Sequence, residues 1–226
     1  GTTPAALTPA DYEAAGITGV TPDNVAAVNA QVLKQDVGGA NTVGEVQLLV
    51  TAANAALAKI EAYNNGNGIT PPALTVTDYV NAGVTGVTLD NLAAVNAQVL
   101  AKDWTETDTT PEVQALVTAA NAALAKIEAY NNGNGITPAA LTLADYKAAG
   151  ITGVTEHNVA AVNAQVLKQV VGGANTVSEV QALVDAANAA LAKIEAYNNG
   201  NGTTPAALTP ADYEAAGITG VTPDNV

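Results

Sequence analysis

Tyr12, Tyr79, Tyr146 and Tyr213 recur at a fixed interval of 67 residues, each inside an L-T-x-x-D-Y string. Self-similarity at such a period marks an array of supersecondary units, because each unit is one packing module and the chain multiplies it. Residues 1–67 and 135–201 differ at nine positions, namely 2, 9, 13, 22, 23, 36, 44, 48 and 51 of the first copy, whereas 68–134 is more divergent. The expected organisation is repeat 1 over 1–67, repeat 2 over 68–134, repeat 3 over 135–201 and a partial repeat 4 over 202–226. Because the fourth copy stops early, the chain is expected to be a piece of something longer. A unit of 67 residues buries a modest share of its surface by itself, so contacts between neighbouring repeats are expected to matter. A catalyst needs one singular constellation, and multiplication of a plain unit points instead to a mechanical role.

Each copy reads as three helices of increasing length. The first opens at Thr8, with Pro9 suited to the first helical position, Asp11 placed to return a capping bond, Leu7 and Tyr12 at staple positions, and Gly16 as the stop. A second start falls at Thr21, again followed by proline, with Val20 and Val25 spaced for a staple. Val25, Val28 and Val32 then share a stripe with Leu33 beside it, and Gly38 and Gly39 end the segment, which predicts a helix over 22–36. The third start is Thr42 with Glu45 three residues on, and Val46, Leu49, Ala53, Leu57 and Ile60 repeat at helical spacing while Gln47, Lys59 and Glu61 face elsewhere. That helix of about 22 residues, roughly 33 Å long, is expected to end in the Asn64–Gly68 run of asparagine and glycine. Alanine fills many inward positions, which allows close helix approach at a small buried area per residue.

Charge narrows the partners. Twenty-one acidic residues face seven lysines and no arginine, for a net −14 spread as −4, −5, −2 and −3 over the four segments. Such a field repels nucleic acid and anionic lipid, so neither is an expected partner, and it keeps the array hydrated. Without cysteine there are no disulfides or thiolate metal sites. No apolar run approaches the roughly 20 residues needed to cross a bilayer, so no membrane span is expected in this segment, and no signal peptide is visible.

Candidate chemistry is sparse. His157, the single histidine, replaces Asp23 of the first copy, and a catalytic or metal role would need partners that the sequence does not place beside it; a surface residue is expected. Ser178, the single serine, has no histidine near it in sequence. Glu106, Asp108 and Glu112 gather in one loop, yet their spacing departs from the calcium-loop pattern, so a solvated acidic loop is expected. Trp104 stands where the other copies carry Val37 and Val171, and reads as a local packing plug. The Asn-Gly junctions such as 198–202 read as linkers, since no lysine follows and no strand precedes; Asn201-Gly202-Thr203 is formally a glycosylation triplet, and the Thr-Pro-Ala stretches would suit O-linked glycans. Asn29 and Asn54 recur in every full copy inside apolar helices, either as register-fixing hydrogen bonds or as exposed amides at a seam's edge. No catalytic, cofactor-binding or metal residue is assigned, no cofactor is expected, and the chain is expected not to be an enzyme.

The strings L-T-x-x-D-Y-x-x-A-G-[IV]-T-G-V-T-x-x-N-[VL]-A-A-V-N-A-Q-V-L and E-V-Q-x-L-V-x-A-A-N-A-A-L resemble the alanine-rich helical tandem repeats of very large surface proteins and adhesins of Gram-negative bacteria, over the full chain. That resemblance implies an extracellular or cell-surface stalk or fibre segment. The overall expectation is an all-α tandem array of small three-helix bundle repeats with a 67-residue period. Its role would be that of a structural spacer, stalk or filament segment whose partners are neighbouring repeats of the same chain or other copies in a fibre. The alternative is a repeated three-helix binding module for a host or matrix protein, which expects an exposed apolar patch on one helix pair. The first helix of each copy is further expected to pack on the preceding unit as well as on its own.

Overall fold

A computed structural model describes residues 5–64, 72–133, 139–199 and 206–226. It is all-α, with no strand among the described residues: α1 Pro9–Ala14, α2 Val25–Leu33, α3 Val43–Asn64, α4 Val76–Asn81, α5 Leu92–Leu100, a 3-10 turn Trp104–Glu106, α6 Thr110–Asn132, α7 Leu143–Ala148, α8 Val159–Leu167, α9 Val177–Asn199 and α10 Pro210–Ala215. The chain divides into two compact units, residues 1–119 and 120–226. The expected repeat boundaries, 67/68, 134/135 and 201/202, lie outside the described residues, as do the Asn201-Gly202-Thr203 triplet and most of the Asn-Gly junctions.

Local chemistry explains the helix ends. The Thr8 backbone N–H donates to Asp11 Oδ2 at 2.8 Å while Asp11 N–H donates back to Thr8 Oγ1 at 3.4 Å, a capping box that opens α1. The same box opens α4, α7 and α10 at Thr75, Thr142 and Thr209. Gly16 and Ile17 then donate to the carbonyls of Glu13 and Tyr12 at 2.9 Å, which closes α1 after two turns. The long helix α3 covers 22 residues, the expected length, and Thr42 with Glu45 caps it.

The second helix is shorter than the 22–36 the pattern suggests. Residues 22–24 form a turn, because the Asn24 side chain accepts the Thr21 N–H at 2.8 Å and donates to the Gly19 carbonyl at 2.8 Å, so the helix begins at Val25. At the other end Lys34 and Gln35 donate to the carbonyls three residues back, tightening the last turn into 3-10 geometry and ending α2 at Leu33.

In the unit of residues 1–119, α3 packs on α2 and on α4. Val50, Ala53, Leu57, Ile60 and Tyr63 supply its inner face, against Ala27, Val28 and Gln31 of α2. Val46 and Leu49 of the expected stripe are only half-buried, since the Gly19 turn lies over Val50 and shifts the seam by part of a turn. Leu33 is exposed, not core. Each buried valine, leucine or isoleucine contributes about 1.5–3 kcal/mol, while the alanines let the helices approach. In the unit of residues 120–226, α9 buries Val180, Val184 and Ala187, α8 buries Ala161, Val162 and Val166, and the two pack together.

Against the sequence expectation, α3 is the one described helix long and apolar enough to cross a membrane by length and composition; 22 % of that apolar window is buried. Alanine and a Leu48-Leu49-Val50 cluster raise its hydropathy, although Gln47 and Lys59 are both engaged in polar contacts described below.

Candidate functional site

Residues singled out by chemistry do not converge. His157 is exposed in the turn before α8, and Ser178 is exposed near the start of α9. Glu106 and Glu112 are each used locally: Glu106 Oε2 accepts the Asp103 N–H at 3.3 Å, and Glu112 Oε2 accepts the Thr109 hydroxyl at 2.8 Å. Two carboxylates spent on capping separate helical turns do not form an ion cage, and Asp108 is exposed. Among the described residues no group of three or more histidine, cysteine, aspartate or glutamate side chains could hold a metal. The expected packing role of Trp104 falls on a side chain outside those described.

What the structure does assemble is a docking face for the short helix. In the first unit α4 lies on α2 and α3. Lys59 Nζ of α3 meets Asp78 Oδ1 at 2.5 Å, Gln31 Nε2 of α2 donates to the Asn81 carbonyl at 2.8 Å, and Lys34 donates to Asn81 Oδ1. Gly83 sits against the α2 backbone so closely that a Cβ there would lie 2.5 Å from the Ala26 oxygen and the Ala27 nitrogen. Burial pushes the Asp78 carboxyl up, yet the bonds from Lys59 and Thr75 outweigh it and hold the group below the usual carboxylate range. Sequence reasoning placed Lys59 on an outward face; its partner lies 19 residues on, which helical periodicity cannot see.

The second unit contains the same arrangement. Lys193 Nζ of α9 meets Asp212 Oδ1 at 2.5 Å, Gln165 of α8 donates to the Ala215 carbonyl, and Lys168 Nζ donates to the Glu214 carbonyl at 2.7 Å. Residues 209–216 therefore do touch the stretch 135–201, at Gln165, Lys168 and Lys193. Bonds from Lys193 and from the Thr209 backbone and hydroxyl hold the Asp212 carboxyl at about 2, below its ordinary 3.8. A carboxyl depressed in the folded state stabilises above its unfolded pKa, and that contribution disappears as pH falls from about 4 towards about 2. Protection of the Ile218 amide, whose N–H donates to the Tyr213 carbonyl at 2.9 Å, is expected to fall over that window once exchange is corrected for its intrinsic pH dependence. An Asp212→Asn chain exchanging with the same pH profile as wild type would count against this link.

The short helices α1, α4 and α7 are also tied inward. Tyr12 Oη donates to Asn29 Oδ1 at 2.6 Å and Asn29 Nδ2 donates to the Leu7 carbonyl at 2.8 Å. Tyr79 with Asn96 and Tyr146 with Asn163 repeat the pair at 2.7 and 2.6 Å, now buried. Asn24 Nδ2 donates to Asn54 Oδ1 at 2.8 Å, and Asn158 to Asn188 at 2.6 Å. Of the two readings open for Asn29 and Asn54, the hydrogen-bonded one describes half-buried Asn29, whereas Asn54 meets both, exposed at the edge of the seam while accepting the Asn24 amide. Gln47 was the residue the periodicity missed: its Oε1 accepts the Thr18 N–H at 3.1 Å and its Nε2 donates to the Thr18 carbonyl at 3.0 Å. Gln114 clamps Thr85 and Gln181 clamps Thr152 in the same way. Recurrence of that glutamine at the same place in each copy was the available signal.

The first unit carries clefts, two of which border residues already named. One of about 360 Å³ is lined by Leu7, Tyr12, Ala15, Ile17, Val32 and Val46 among others. The other, about 270 Å³, borders Asn24, Asn54, Glu61 and Asp108 and is the more polar. Compared with protein-family models, with curated proteins and with solved structures, the chain matches none.

Proposed function

We propose that this chain is a non-catalytic structural spacer, a stalk or filament segment built as a tandem array of three-helix repeats with the 67-residue period. The observation that carries the reading is the docked short helix. α4 rests on α2 and α3, and α10 rests on α8 and α9, through the same lysine–aspartate and glutamine–carbonyl bonds. In an array of this kind each unit contributes a fixed increment of reach, and a helix shared between neighbours couples them more stiffly than a free linker would. The acidic surface, net −14, keeps such an array hydrated. In this reading α3 is a packing helix and not a span, supported by the bonds of Gln47 to Thr18 and of Lys59 to Asp78. A position outside the cell or on its surface rests on the resemblance to bacterial surface-protein repeats.

The rival reading, a module gripping a host or matrix protein, would use the apolar cleft at Leu7 and Tyr12. It is disfavoured because a repeated binder should offer the patch in every copy, and Leu74, Leu141 and Leu208 are buried where Leu7 is exposed. Small-angle scattering tests the spacer: inserting one or two further copies of residues 68–134 is expected to lengthen the maximum dimension by equal steps. Constant maximum dimension across the series would refute it.

A further inference from the structure

We propose that the loop between the second and third helices of each repeat sets how firmly the long helix of the preceding repeat is held, so that the junction at the end of α3 is tight and the junction at the end of α6 opens first. This rests on the spacer reading, in which junctions are joints between units, and adds what grades them.

Residues 51–71 and 118–138 are identical at every position. The C-terminal halves of α3 and α6 therefore present the same side chains, and a difference in how they are held comes from the neighbours that the following copy brings. Both junctions lie inside the sequence, between complete copies. The two following loops have equal length yet differ at every position of 102–108 against 169–175.

In the unit of residues 1–119, α5 and the 3-10 turn Trp104–Glu106 pack on α3. Thr107 is fully buried, and its hydroxyl accepts the Asn64 side-chain amide at 3.5 Å. Thr110 is buried as well, and its N–H donates to the Asp23 carbonyl of the preceding repeat at 3.0 Å. In the unit of residues 120–226 the loop takes another path, with Gly172 at φ +84° and with Val170 and Val171 left 80 and 78 % exposed. Asn131, the counterpart of Asn64, donates from Nδ2 to the Val170 carbonyl at 3.0 Å, while its buried Oδ1 receives no hydrogen bond. Position 174, the counterpart of Thr107, holds a buried alanine and so offers no hydroxyl.

A buried acceptor without a donor makes the closed junction costly, and opening returns that acceptor to water. One such group changes an opening equilibrium by roughly 5- to 30-fold. The α6 end is the joint that yields first, while the helices on either side stay folded. Reach then belongs to the helical unit and compliance to the loop, so one unit serves in stiff and yielding positions alike.

Amide hydrogen exchange resolved by residue tests this on the full chain. Tyr63 and Tyr130 are equally buried, at 8 and 6 % exposure, and identical neighbours give their amides the same intrinsic exchange rate. The Tyr130 amide is expected to exchange roughly 5- to 30-fold faster than that of Tyr63. Thr107→Val keeps the volume and removes the hydroxyl, and should bring Tyr63 to within about threefold of Tyr130; Ala174→Ser adds a hydroxyl and little else, and should slow Tyr130 at least about threefold. Wild-type protection at Tyr130 equal to or above that at Tyr63 overturns the proposal without recourse to any variant. An unchanged rate at Tyr63 in Thr107→Val, or at Tyr130 in Ala174→Ser, overturns it too. Such failure removes the graded joints and leaves the spacer reading standing, because that rests on solution length.

Discussion

Gly83→Ala is expected to destabilise the chain by about 2–4 kcal/mol, while the equivalent Gly16→Ala costs about 1 kcal/mol. Both glycines close a short helix in the left-handed region, at φ +73° and +77°, and an alanine in that region costs about 1 kcal/mol in either place. Only Gly83 faces a neighbour. Its Cβ would lie 2.5 Å from the Ala26 oxygen and the Ala27 nitrogen, and these are backbone atoms inside helix α2, so relief requires α4 to lift away. Lifting α4 stretches Gln31 to Asn81 and Lys59 to Asp78 together, which adds an overpacking term of about 1–3 kcal/mol. Denaturant unfolding followed by ellipticity measures the difference. Equal losses for the two variants would mean that α4 is not held against α2.

Asn96→Ala is the second large effect, at about 2–5 kcal/mol. Asn96 accepts from Tyr79 Oη at 2.7 Å and donates to the Leu74 carbonyl at 3.0 Å, and all three residues are buried. Truncation leaves a phenol donor and a carbonyl acceptor unpaired in a dry site, which costs more than the bonds themselves contribute. Burial also pushes the Tyr79 phenol well above its ordinary value, so it remains a donor at any ordinary pH. Tyr79→Phe alone should cost about 1–3 kcal/mol. Combining it with Asn96→Leu should recover part of the loss, because an apolar pair leaves fewer orphans, and the coupling in that cycle is expected to exceed about 1 kcal/mol. At the first copy Asn29 is half-buried and water can take up the freed groups, so Tyr12→Phe should cost less than Tyr79→Phe. Strict additivity of Tyr79→Phe and Asn96→Leu would contradict the assigned hydrogen bond.

Much of the local structure was legible. Thr8 with Asp11 and Thr42 with Glu45 announce helix starts because capping is a matter of three residues and two hydrogen bonds. The limits of α2 were not, since Asn24 spends its side chain on Gly19 and Asn54, and the latter is 30 residues away. Val50 likewise displaced Leu49 from the seam once the Gly19 turn came down on it. The exposed position of His157 was readable, because it stands in the polar stretch that precedes a helix.

From sequence alone came the 67-residue interval, the helical class and the openings of the short and the long helices, the last of which depend on groups a few residues apart. Tertiary structure alone decided which lysine meets which aspartate, why Gly83 admits no side chain while Gly16 would, and that Gln47 clamps Thr18. Those outcomes turn on atoms brought together from 19 to more than 50 residues apart, and a repeat written almost identically in each copy carries no mark of which face its neighbour will cover.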